Sequence, residues 1–156
     1  VLGWDENAGV RQVFDEGGCV ARRRLSHEGT LILDSEGLSK LLADDEQVVA
    51  LIAEARSRGM EVVISALAII GAVHARTNKS RLHWVLSGLR VVPAGDDEAR
   101  AASKLLMNAG LHGHKYAIDA AVAEATLRQH RPMVMLTSDS DDMAKLCGER
   151  VRLVAV

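Results

Sequence analysis

Short aliphatic runs of strand length alternate with helix-length segments from Thr30 onward, and that alternation leaves few folds open. The runs are Thr30–Leu33, Glu61–Ile64, Leu89–Val92, Met133–Leu136 and Val151–Val156. Near-continuous apolar runs of this kind suit strands covered on both faces, as in a parallel sheet between helices. Strand–helix alternation argues for that class, and right-handed crossovers remove most topologies. The expected fold is α/β: a three-layer α/β/α sandwich around a five-stranded parallel sheet in the order 3-2-1-4-5. That order sets the carboxyl ends of the first and fourth strands side by side at the switch point, where open α/β sheets place their sites.

The segments between the runs read as helices. Leu38, Leu41 and Leu42 follow Asp34-Ser35. Asp44-Asp45 opens a second helix carrying Val48, Val49, Leu51, Ile52 and Ala55, with Gly59 as its stop. Ser65 is placed to cap a helix from Ala66 to about Arg76, apolar almost all round and therefore expected to be buried. Leu82, Val85 and Leu86 mark a short helix ended by Gly88. Asp96-Asp97-Glu98 puts negative charge where a helix dipole favours it. Gly110 stops that helix, and an alanine-rich helix is expected over Tyr116–Gln129. At 156 residues the chain is expected to form one domain. Residues 1–29 fit it poorly and read as an irregular N-terminal arm with a basic run, Arg22-Arg23-Arg24; the domain is expected over 30–156.

Apolar residues make up 48% of the chain and aromatics only 3%, so the core must be aliphatic. A formal charge of −2 supplies no global field for nucleic acid, and any such contact needs a local patch. The best local cluster is Arg76, Lys79 and Arg81. Trp84 is expected to pack, and His74 to be an ordinary helix residue. Cys19 and Cys147 match no metal spacing and read as reduced thiols. No apolar run reaches the roughly 18 residues that span a bilayer, and no secretory signal is evident. The expectation is a cytoplasmic protein with no membrane partner.

The chemistry concentrates in acids. The fourth run leads through Thr137-Ser138 into Asp139, Ser140, Asp141 and Asp142, and the first ends on Asp34-Ser35. Singly, these residues can be explained as helix caps. Asp119 is harder to explain, because Ala117, Ile118, Ala120 and Ala121 surround it and a carboxylate among apolar groups is costly unless paired. Several carboxylates in one crevice repel and raise each other's pKa values, and a divalent cation removes that cost. Hard oxygen donors suit Mg²⁺ or Mn²⁺. A shared metal site is expected from Asp34, Asp119 and Asp139, with Asp142 assisting.

Three stretches, in order, carry a family resemblance: Leu31-Ile32-Leu33-Asp34-Ser35, Ile118-Asp119-Ala120-Ala121-Val122-Ala123 and Leu136-Thr137-Ser138-Asp139-Ser140-Asp141-Asp142. From Leu31 onward the chain resembles a PIN domain, most nearly a VapC-type toxin endoribonuclease. The resemblance implies a PIN-like fold and metal-dependent cleavage of single-stranded RNA. It implies Asp34, Asp119, Asp139 and Asp142 as the acidic catalytic residues, with Ser35, Thr137 and Ser138 as polar support. It also implies an antitoxin partner. RNA contact is expected from Arg76, Lys79 and Arg81. A homodimer is expected from the resemblance and from the run Leu38, Leu41, Leu42, Val48, Val49, Ile52, which looks more apolar than one sheet face needs.

The chain departs from the family pattern at one place. The glutamate usual in the helix after the second strand falls at Gly71. Ordinary helix formers surround it, and Gly71 is read as the position of a lost ligand, with lowered activity, ahead of close packing against a neighbouring helix. The alternative is a PIN-fold module that binds RNA or a protein without cutting. A phosphoacceptor receiver or an aspartyl phosphatase fits less well. A receiver wants an acidic pair after the first strand, and the phosphatase DxD is broken by Glu36.

Overall fold

The computed structural model describes residues 28–156. The arm expected over 1–29, with Arg22–Arg24 and Cys19, lies outside the described residues except for Glu28 and Gly29. The sheet is parallel and five-stranded, in the order β3-β2-β1-β4-β5. Its strands are β1 (Thr30–Leu33), β2 (Glu61–Ser65), β3 (Arg90–Val92), β4 (Met133–Thr137) and β5 (Arg152–Ala155). The helices are α1 (Ser35–Leu42), α2 (Glu46–Ser57), α3 (Ala66–Ala72), α4 (Lys79–Ser87), α5 (Asp96–Ala109), α6 (Gly113–Leu127) and α7 (Ser140–Cys147), with one 3-10 turn over Gly148–Arg150. The expected class and strand order both hold.

Strand alternation sorts the core into two sides. Leu31, Leu33 and Val62 pack with Val48, Ile52 and Ala55 of α2. Ile32, Ile64, Met133 and Met135 face the other way, into Leu38 of α1, Ala68 of α3, Val122 of α6 and Met143 of α7. Register places Leu33 opposite both Ile64 and Leu136, so the chain leaves β1 and β4 at one level of the sheet. Asp34 N–H donates to Leu136 O at 3.2 Å, which carries that alignment one residue past the strand.

The helix starts follow local chemistry. Asp34, Asp45 and Asn78 cap α1, α2 and α4, each side chain accepting a backbone N–H of the first turn. Glu98 reaches back to the Gly95 N–H at 2.9 Å and fixes the start of α5. Gly110 ends that helix at φ 66°, a conformation glycine takes at little cost. Ser65 stands at the cap position of α3 but makes no capping hydrogen bond.

Three expectations need correction. The helix after β2 ends at Ala72, not Arg76, and it is not buried all round: Ile70 is 63% exposed and Val73 is also exposed. Its apolar excess lies on the surface, so composition overstated its burial, and His74 falls beyond the helix end. Trp84 does not pack inward; it is 65% exposed, with the Arg81 guanidinium 5.0 Å from its ring centroid. The run Leu38 to Ile52 holds no surplus. Leu38, Val48 and Ile52 are buried, Leu41 and Leu42 are partly buried, and of that run Val49 alone is among the exposed large apolar residues.

Candidate active site

The carboxyl ends of β1 and β4 meet the side of α6 and the start of α7, and four aspartates gather there. Asp34 follows β1 and is 7% exposed. Its Oδ1 accepts the Gly37 N–H at 2.7 Å, and the Thr137 hydroxyl stands close to the same carboxylate. Burial pushes the Asp34 carboxyl above its ordinary range, while the Gly37 N–H and the nearby Thr137 hydroxyl oppose that rise. Thr137 Oγ1 accepts the Asp139 N–H at 3.0 Å, so one hydroxyl stands between the end of β1 and the start of α7. Asp139 caps α7, accepting the Asp142 N–H at 3.3 Å.

Asp119 comes from α6. That helix begins at Gly113, earlier than the sequence suggests, but it is broken at Tyr116 (φ −110°, ψ 19°), and Asp119 stands in the first turn beyond the break. Its carboxyl is held above the ordinary range, first by burial, then by the charges of Asp139, Asp34 and Asp142, with Lys115 opposing. Mutual repulsion of this kind requires the four acids to share one neighbourhood.

Asp142 differs from the others. Lys145 Nζ donates to its Oδ1 at 2.7 Å, and the Tyr116 hydroxyl lies near the same carboxylate. Lys145 above all holds this carboxyl below its ordinary range. Lys115 Nζ donates to the Tyr116 hydroxyl at 2.9 Å and lies 4.7 Å from the ring centroid. Sequence reasoning missed Lys115, Tyr116 and Lys145. The available signal was their spacing: Lys115 and Tyr116 precede Asp119 by about one helical turn, and Lys145 follows Asp142 by three residues.

The donor set fits a hard divalent cation in kind: carboxylate oxygens in excess, one of them repelled by three others. The placement is open. Among the described residues, no group of three or more His, Cys, Asp or Glu side chains is arranged to hold a metal ion. The expected trio Asp34, Asp119 and Asp139 therefore shares a field without closing on one point.

The supporting residues divide. Ser35 donates to Ala68 O at 2.9 Å and braces α1 against α3, while Ser138 is exposed. The proposed RNA cluster stands apart from the acids. Arg76 and Arg81 line a cavity with Ser39, Leu42 and Ala72, toward the far end of α1, and Arg81 is paired with Asp44. Ser35 to Leu42, the length of α1, is roughly 10 Å of helix rise.

The surroundings of Gly71 favour the close-packing alternative. A Cβ built there would lie 2.9 Å from Ser35 Cβ, would press harder still on Ser35 Oγ, and would meet Ile118 Cδ1 at 3.6 Å. The expectation that nothing in the backbone surroundings calls for glycine is overturned: α3 crosses α1 too closely for a side chain.

No family model matches the chain, and no curated protein matches it. Solved structures do. A chain in the crystal structure of VapBC2 from Rickettsia felis bound to a DNA fragment from their promoter aligns at TM-score 0.59 and 12% identity, over 81% of this chain and 98% of that one. A chain of FitAcB from Neisseria gonorrhoeae aligns at TM-score 0.54 and 17% identity, over 80% of this chain and 96% of that one. The fold is PIN/VapC-like. At such identities the likeness fixes the architecture of this PIN-like chain and leaves its chemistry to its own residues.

Proposed function

We propose that this chain is a divalent-cation-dependent endoribonuclease of PIN/VapC type, acting on single-stranded RNA. The observation that carries the reading is Asp119, a half-buried carboxyl held above its ordinary range by burial and by three other aspartates in the same crevice. Asp34, Asp119 and Asp139 would hold Mg²⁺ or Mn²⁺. When bound, such an ion supplies Lewis acidity and counter-charge for a phosphodiester. The chain's own residues do the rest. Asp34 is held by the Gly37 N–H beside Thr137, Thr137 sets the backbone of Asp139, and α6 presents Asp119, partly buried, to the same crevice.

The reading implies a cytoplasmic protein, consistent with the described helices, none of which is long and apolar enough to cross a membrane. It also implies an antitoxin partner. The groove lined by Val49, Ile52, Arg56, Arg81, Trp84 and Leu89 offers such a partner apolar and aromatic surface. A homodimer would have exposed Ile70, Val73 and Met107 to cover. The test is calorimetric titration with Mn²⁺ beside cleavage of a single-stranded RNA. Both should respond, and Asp34→Asn and Asp139→Asn should each weaken binding. Unchanged Mn²⁺ binding in both variants refutes the site.

A second reading, a non-cutting module, draws on Gly71 and on the open placement of the acids. It expects RNA binding without cleavage. If Gly71 marks a lost carboxylate ligand, Gly71→Glu in a Ser35→Gly background, where the obstructing side chain is gone, should restore Mn²⁺ affinity and cleavage together.

A further inference from the structure

A strand of RNA reaching this crevice meets a concentration of negative charge. Four aspartates face its phosphates, and the basic cluster singled out from sequence stands away near Asp44. The cations that do stand at the acids belong to one rim. Lys115 Nζ donates to the Tyr116 hydroxyl at 2.9 Å, Asp142 Oδ1 accepts from Lys145 Nζ at 2.7 Å, and the packing of α6 on α7 brings the two pairs side by side, with the Tyr116 hydroxyl near the Asp142 carboxylate. Lys115 feels the charges of both Asp142 and Asp139, which places it at the crevice and not merely beside Tyr116. Both lysines keep exposed surface, Lys145 at 54% of its side chain, whereas Asp142 keeps 15%. The break of α6 at Tyr116 turns Lys115 and Tyr116 out of line with the helix that carries Asp119.

We infer that Lys115 and Lys145 form a phosphate-binding rim on the acidic crevice, and that Asp142 and Tyr116 are its positioning residues, Asp142 holding Lys145 and Tyr116 holding Lys115. The inference deepens the RNA-processing reading and rests on it for the identity of the ligand. Each ammonium group has donors beyond the one it spends inside the rim, and lysine is a common point-charge partner for phosphate. Asp142 neutralises part of Lys145, but its larger effect is to fix a flexible four-carbon stem at the site, which lowers the entropy lost when RNA binds. Asp142 is thus committed to the rim, leaving Asp34, Asp119 and Asp139 as the candidate ligands of an ion.

The experiment is fluorescence anisotropy with a labelled single-stranded RNA in EDTA, where binding is read without cleavage. Lys115→Gln/Lys145→Gln should weaken binding at least tenfold at moderate salt. It should also reduce the slope of log K against log salt by about 1.4, the share of two phosphate contacts to a single strand. Lys145→Arg should keep most of the slope. Asp142→Asn gives the sharpest sign: simple charge removal should tighten RNA binding, whereas loss of the anchor should weaken it. Mn²⁺ titration of the double lysine variant should match the parent, which shows that the acids remain in place.

An unchanged affinity and slope in the double variant overturns the rim. So does tighter binding by Asp142→Asn, or a parent chain that does not bind the RNA. So does a full loss carried instead by Arg76→Gln/Lys79→Gln/Arg81→Gln. A parent that binds RNA through the two lysines but never cleaves it leaves the rim standing and refutes the nuclease reading alone.

Discussion

Gly71→Ala sets two opposing effects against each other. Gly71 is the penultimate residue of α3, so alanine gains at most about 1 kcal/mol of helix propensity, and less near a fraying end. Against this, the new Cβ would lie 2.9 Å from Ser35 Cβ and closer to Ser35 Oγ. The hydroxyl can rotate away only by giving up its 2.9 Å bond to Ala68 O, worth about 1 kcal/mol. The Cβ contact remains, and relieving it means separating α1 from α3, an overpacking cost of roughly 1–3 kcal/mol. The net expectation is destabilisation by about 1–3 kcal/mol, read in urea as a lower midpoint at unchanged m. Ser35→Gly removes both obstructing atoms. In that background Gly71→Ala should be neutral or stabilising, giving a coupling of about 1–3 kcal/mol in the double-mutant cycle. If Gly71→Ala stabilises the otherwise unaltered chain, or if the two substitutions simply add, the close crossing is not the reason for glycine, and the lost-carboxylate reading gains.

The remaining expectations concern charge, caps and surfaces. Asp119 has a raised pKa in the folded chain, so its contribution to stability is full below the unfolded value and is lost as pH rises through the folded one; Asp119→Asn should therefore melt higher than the parent at pH 7 in EDTA, and the gap should close on acidification toward pH 4. A gap independent of pH would disprove that account. Asp45→Ala removes the cap on the Val48 N–H and should cost about 1 kcal/mol by denaturant titration, without changing RNA affinity. In light scattering, the chain should dimerise at micromolar concentration, and Ile70→Glu/Met107→Glu should return it to monomer; a parent that stays monomeric at high micromolar concentration contradicts the dimer.

Much of the architecture was written in local pattern. Five apolar runs, the interleaved helical segments and the handedness of crossovers gave the parallel α/β class and left few strand orders, of which the expected one is observed, because each depends on residue spacing and chain chirality. The nearness of Asp34 to Asp139 and Asp142 followed from that order, since acids placed after β1 and β4 share the switch point, whereas Asp119 is brought to them by the packing of α6. Tertiary structure decided whatever depends on two elements meeting. Whether α3 is buried, whether Trp84 points inward and whether Gly71 leaves room for a side chain are set by the distances between helices. No one-dimensional pattern encodes those distances. The same holds for the rim. Nothing in the sequence pattern ties Lys115 and Tyr116 to Lys145, and only the break in α6 and the packing of α7 on it set them side by side at Asp142, where their charge has a local purpose.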